Sequence, residues 1–142
     1  MSTKYIKYEE VEKIIGHENM IKFYERMKKI FEVLYKDPKG KKVRIGFVQH
    51  DLYDLYDMRC EEGEEVPRNY DYLMELCEIL EEELFIKLLN TCQGKSIWIS
   101  YTHVRNAMIY EELRKGKYVQ DVANRYSVSP ENARKIKERY NV

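Results

Sequence analysis

Long apolar runs are missing from this chain. Among its 142 residues no stretch reaches the roughly 18 apolar positions of a membrane-crossing helix, so no membrane span is expected. The opening MSTKYIKYEEVEK has no apolar core of the kind a secretory leader carries. Cysteine is scarce. Cys60, Cys77 and Cys92 are odd in number and form no CxxC pair, which points to free thiols in a reducing cytoplasm. Histidine is scarcer in pattern than in number: His17, His50 and His103 share no ligand spacing with one another or with the cysteines. A zinc site, and any other cofactor, is therefore not expected. GxSxG, P-loop and HExxH patterns are also missing. The expected mechanism is binding, not enzyme chemistry.

Net charge is the last thing lacking: 25 Lys and Arg balance 25 Asp and Glu. The balance hides segregation. Residues 1–50 carry +5, residues 51–100 carry −9 and residues 101–142 carry +4. A neutral chain with a basic end can still present a cationic face to nucleic acid. In the acidic middle, Asp51, Asp54 and Asp57 share one side of a helical DLYDLYDM segment, and Glu81-Glu82-Glu83 forms a run. Both read as solvated faces before they read as a cation site or a partner surface.

The spacing predicts a mainly helical protein with one or two short strands. Ile6, Val11, Ile14, Ile15, Met20 and Ile21, continued by Phe23, Met27, Ile30, Phe31 and Leu34, give one or two helices over 5–35, with Gly16 as a junction. Asp37-Pro38-Lys39-Gly40 stops them, and Val43 to Phe47 alternates like a strand. EEGEEVPRN (61–69) reads as a linker. Asp71 is placed to cap a helix reaching about Asn90, with Leu73, Leu76, Cys77, Leu80, Leu84 and Leu88 on one face. Gln93-Gly94 ends it, and Ile97-Trp98-Ile99 is a second strand. Thr102 is placed to cap a helix that stops at Gly116. Three regions follow: 1–69, a helical part with a short strand; 70–100, a helix–strand unit; and 101–142. Trp98, the one tryptophan, reads as core in preference to a strand-interface anchor. Lys41, Lys42 and Arg44 read as a basic strand edge that discourages aggregation, with an approach to DNA as the other reading.

An internal echo crosses the first two regions. VEKIIGHENMIK (11–22) aligns with LCEILEEELFIK (76–87), and GKKVRI (40–45) aligns with GKSIWI (94–99). The first copy needs about eleven more residues between its two blocks. Two helix–strand units would let the two strands pair within one chain.

The closing segment VQDVANRYSVSPENARKIKER (119–139) has the layout of a helix-turn-helix. Val122, Ala123 and Tyr126 point one short helix inward, and Val128 follows in the turn. Ser129 suits the cap, Pro130 the first helical position, and Ala133 and Ile136 the inner face of a second helix. Ala123 is small where the helices would cross. Arg134, Lys135 and Arg139 then face outward to meet bases or phosphates. Asn132 can read adenine or serve the helix start. Glu131 suits the helix dipole better than cytosine readout. Ser129 caps and can touch phosphate. Lys117, Tyr118 and Gln120, at the start of the first motif helix, are candidates for phosphate contact.

From about Tyr72 to Tyr140 the chain resembles the Mor/C family of phage transcription activators. The likeness rests on the order of LMELCEILEEELFIKLLNTCQGKSIWIS, THVRNAMIYEELRKGK and VQDVANRYSVSPENARKI. Two positions depart from that pattern: Ser100 stands where a Pro often follows the strand, and Ser127 where the turn usually has Gly. The resemblance implies a homodimer built through the helix–strand region, recognition helices in two major grooves of double-stranded DNA, and RNA polymerase as a further partner. If the internal strands pair instead, a monomer is expected. The function expected is that of a cytoplasmic, sequence-specific transcription regulator. The alternative is a protein-interaction module, such as a phage-encoded inhibitor of a host factor, that reuses the same fold. A recombinase accessory is a third reading, which no catalytic residues support.

Overall fold

The structure is a computed structural model that describes residues 4–47 and 69–140. Asp51, Asp54, Asp57, His50, Cys60 and most of the expected linker lie outside the described residues. The fold is mainly helical, as the spacing predicts, with seven helices and a three-stranded sheet among the described residues. Strand β1 (Lys4–Tyr5) precedes helices α1 (Tyr8–Ile15) and α2 (His17–Leu34), then strand β2 (Lys42–Gly46). Helices α3 (Asn69–Ile79) and α4 (Glu82–Thr91) lead to strand β3 (Lys95–Ser100). Helices α5 (Tyr101–Arg114), α6 (Val119–Tyr126) and α7 (Pro130–Tyr140) complete the chain.

Strand β3 is central, with parallel β1 on one edge and antiparallel β2 on the other. Strand β1 was not expected; two residues are too few to show an alternating pattern. Val43, Ile45, Ile97 and Ile99 turn toward the helices, with Ile45 and Ile99 fully buried. Lys42, Arg44 and Trp98 turn outward. Trp98 is 41% exposed, so its reading as core is corrected. Period-two alternation puts it on the face opposite Ile97 and Ile99, where Lys42 and Arg44 are also exposed. Asn69 ties α3 to the sheet: its side-chain oxygen accepts from the Gly46 N–H at 2.7 Å and its amide donates to the Gly46 carbonyl at 3.0 Å.

Two more expectations need correction. The single helix from Asp71 to about Asn90 is two helices, broken at Leu80–Glu81. Leu73, Leu76 and Leu80 occupy one apolar phase and Phe85, Leu88 and Leu89 another, and the break lets both stripes meet the same core. Glu82 and Glu83 open the new helix and suit its positive end. Asp71 lies inside the first turn of α3, which begins at Asn69, so it is not the cap. Nor is Thr102 a cap, being exposed within α5. The cap there is Ser100, whose Oγ accepts from the His103 N–H at 3.1 Å.

The internal echo carries into three dimensions. Gly16 at φ 90° separates α1 from α2, and the aligned Glu81 separates α3 from α4. Three aligned pairs are buried in one core, Val11/Leu76, Ile15/Leu80 and Met20/Phe85, and the same offset carried past the aligned blocks pairs three more, Phe23/Leu88, Tyr24/Leu89 and Met27/Cys92. Gly40 and Gly94, each at φ 78°, turn the chain into β2 and β3. Exchanging the two copies leaves the strand register unchanged. Lys42↔Ser100 becomes Gly46↔Ser96, Val43↔Ile99 becomes Ile45↔Ile97, and Arg44↔Trp98 maps onto itself. The β2–β3 pair therefore has local two-fold character centred on Arg44 and Trp98, and the two strands pair within one chain.

Helix α5 docks the C-terminal helices on this body, mainly against α2. Tyr24 and His103 Nε2 hydrogen-bond at 3.1 Å, and the Tyr8 ring stacks on His103 at 3.6 Å. Lower on the same face, His17 donates from both ring nitrogens, to Glu12 and to Glu111, each at 2.8 Å. Glu111 is buried and also accepts from Arg114 at 2.8 Å. Burial alone would raise the Glu111 pKa, but Arg114 and His17 overcome it and draw it down to about 2. The Glu111 carboxylate in turn raises the His17 pKa, whereas burial lowers that of His103.

These shifts predict a pH signature. The His17 contribution is fully present below its unfolded pKa of 6.5 and fades as pH rises through the higher folded value. His103 acts in the opposite sense, losing stability as pH falls, so the wild-type curve alone does not separate them. The Tm difference between wild type and His17→Gln isolates the clasp. It should be largest between the two unfolded values, 4.5 for Glu111 and 6.5 for His17, and shrink on the alkaline side. A difference that grows with rising pH would refute the ion-paired clasp.

Candidate nucleic-acid interface

A second apolar cluster holds α5, α6 and α7 together: Ile109, Leu113, Val122, Ala123, Ala133 and Ile136, edged by Tyr110, Val119, Tyr126 and Val128. Every inward position expected of the helix-turn-helix is in this cluster. Ala123 and Ala133 are both fully buried, where a longer side chain would push the helices apart. The turn is tight. Val128 N–H donates to the Ala123 carbonyl at 3.0 Å, and Ser127 is left-handed at φ 56°, ψ 41°. Ser127 thus does the work that Gly usually does there.

Ser129 caps α7: its Oγ accepts from the Asn132 N–H at 3.1 Å. Pro130 occupies the first helical position, where a missing N–H costs nothing. Glu131 stands in the first turn and Lys137 and Arg139 in the last, the favourable order for the helix dipole.

All nine expected contact residues are exposed: Lys117, Tyr118, Gln120, Ser129, Glu131, Asn132, Arg134, Lys135 and Arg139. They do not form one uniform cationic face. At about 100° per residue, with Ala133 and Ile136 inward, the outermost strip of α7 is Glu131, Arg134, Lys135 and Glu138. Asn132 and Arg139 share one shoulder, and Lys137 lies on the other. Glu138 and Lys137 were missed, although the same helical wheel drawn from sequence contains both. Lys135 approaches Glu131 at 3.8 Å.

At the base of α6, Lys117 donates to Glu112 at 2.7 Å, and Arg125 ion-pairs with the same carboxylate. Burial would raise the Glu112 pKa, but Lys117, Tyr126 and Arg125 together hold it below the ordinary value. Lys117 therefore ties the turn before α6 back to α5, and Arg125 ties α6 to the same carboxylate. Gln120 bonds the Asn124 side chain at 3.4 Å. Tyr118, 80% exposed at the start of α6, projects into solvent. The exposed groups are donors, acceptors and cations carried on a three-helix frame. Among the described residues, no group of three or more His, Cys, Asp and Glu is placed to hold a metal ion.

The left-handed Ser127 predicts a substitution series. Ser127→Val should cost about 1–2 kcal/mol, because a branched Cβ is penalised at positive φ. Ser127→Gly should match or exceed wild type by up to about 1 kcal/mol. Denaturant unfolding of both variants measures this, and equal midpoints would contradict the turn geometry.

The geometry stands on these residues alone, since no family model, curated protein or solved structure matches the chain.

Proposed function

We propose that this chain is a sequence-specific DNA-binding regulator that reads a major groove with α7. The observation that carries the reading is the three-helix frame, in which a Ser129-capped, Pro130-started helix turns Asn132, Arg134, Lys135 and Arg139 to solvent. Arg134 and Lys135 lie on the outermost strip, where base edges would be met. Arg139, Asn132 and Tyr118 lie where the sugar–phosphate backbone would run. The resemblance to the Mor/C activators supports the same reading through the order helix, Gly, strand, helix, helix-turn-helix, and makes RNA polymerase the partner to test after DNA.

The stoichiometry we infer differs from that family's. Strand β3 has β2 along one edge, and on the other β1 covers Lys95 and Ser96 while the Tyr8 hydroxyl accepts from the Ser100 N–H, so a second β3 would find only a short stretch of edge to pair with. A monomer reading a single half-site fits this arrangement. One motif alone binds modestly, which makes the affinity more dependent on each phosphate contact.

A second reading rests on a specific observation: Glu131 and Glu138 lie on the outermost strip of α7. Two carboxylates there suit a basic protein partner better than a phosphate backbone.

Selection of bound fragments from random duplex DNA, followed by a salt titration, separates the two. The DNA reading expects an enriched sequence, an affinity that falls steeply with salt, and a loss of about 1–3 kcal/mol in Arg134→Ala. Failure to enrich any sequence would remove it in favour of the protein partner. Light scattering of the free chain should give one copy; a stable dimer would sink the monomer.

A further inference from the structure

The outer face of the sheet is not used by the motif. The three strands contain no carboxylate, and two of their cations, Lys42 and Arg44, share this face with Trp98, while Lys4 and Lys95 alternate to the side of Ile97 and Ile99. Tyr5 and Trp98 rise from this face, 53% and 41% exposed. Their rings are near-parallel, 25° apart with centroids 6.5 Å apart. Lys42 Nζ sits 4.8 Å from the Trp98 ring centre, and Arg44 is the direct cross-strand partner of Trp98. Val33 and Ile86, other exposed large apolar side chains, lie on α2 and α4, away from the strands. Tyr5 and Trp98 are adjacent, with Lys42 and Arg44 beside Trp98 on the same face.

We propose that this face is a stacking platform for single-stranded nucleic acid, separate from the duplex-reading helix. Exposed aromatic rings offer faces to unstacked bases of any sequence, and flanking cations meet the backbone phosphates. A base in a duplex is already stacked and cannot use the rings. A second copy of the chain is the less favoured occupant. Face-to-face packing about a two-fold axis would set Lys42 and Arg44 against their own copies, and like charges brought together in a dry interface oppose association. A polyanion meets the same cations favourably. The proposal does not depend on α7 reading DNA.

Because Trp98 is the one tryptophan, its emission reports occupancy directly. The full chain is titrated at low salt with a mixed-sequence DNA strand of about 12 nucleotides, within the usual span of such sites, and with the same strand annealed as duplex. The single strand should quench Trp98. Tyr5→Ala and Arg44→Ala, both at exposed positions, should weaken its binding, Tyr5→Ala by about 5- to 100-fold. Neither should change duplex affinity. Arg134→Ala should leave single-strand affinity unchanged, which keeps this surface distinct from α7. Circular dichroism confirms that each variant is folded, and Trp98→Phe, which keeps a ring, should retain binding. Absence of quenching, single-strand affinity indifferent to both Tyr5→Ala and Arg44→Ala, or equal losses for strand and duplex would each overturn the proposal. So would a dimer that Tyr5→Ala dissociates.

Discussion

The arrangement depends on one helix that belongs to two cores. Helix α5 places Val104 in the main apolar cluster and Ile109 and Leu113 in the cluster beneath α6 and α7. Its start is set by the Ser100 cap at the end of β3, so the sheet, the shared helix and the C-terminal helix pair form a continuous series. If α5 rotates, both clusters lose contacts at once, which makes independent movement of the motif costly. The polar contacts along α5 reinforce this. His103 meets Tyr8 and Tyr24, Glu111 meets His17, and Glu112 meets Lys117 and Arg125. The Glu111 and Glu112 carboxylates are thereby turned inward and paired with cations.

The motif was legible residue by residue because its signals are local. A helical apolar spacing, a capping serine and a first-turn proline each act over a few positions, and Val122, Ala123, Ala133 and Ile136 are buried as the spacing requires. The Gly16 junction, the Asp37–Gly40 stop and both longer strands were legible for the same reason. What the pattern obscured was phase and partnership. Leu73 to Leu88 reads as one stripe because spacings of three and four both count as helical, so a break that re-phases the stripe at Leu80–Glu81 leaves little trace. Trp98 reads as core by residue type, whereas its side of the sheet is decided by strand register. The double use of Lys117 as tie and candidate contact depends on Glu112, five residues away, which composition cannot single out.

The register of β2 on β3 connects these points. A strand pair with local two-fold character places one residue at its centre opposite its equivalent. In a symmetric homodimer those two would be identical, two arginines or two tryptophans. Paired arginines repel, and a residue facing itself cannot form a cation–ring contact. A chain that holds both units is free of that restriction. It sets Arg44 opposite Trp98 and brings Lys42 over the same ring. The pairing within one chain thus permits a mixed aromatic and cationic centre on the outer face, and occupies one edge of β3 at the same time. The asymmetry extends along the chain: β3 runs directly into the helix that carries α6 and α7, while β2 is pinned at Gly46 by Asn69 of α3. Two units with one plan therefore have different roles. The first braces α5 through His17 and Tyr24, and the second delivers α5 to the motif.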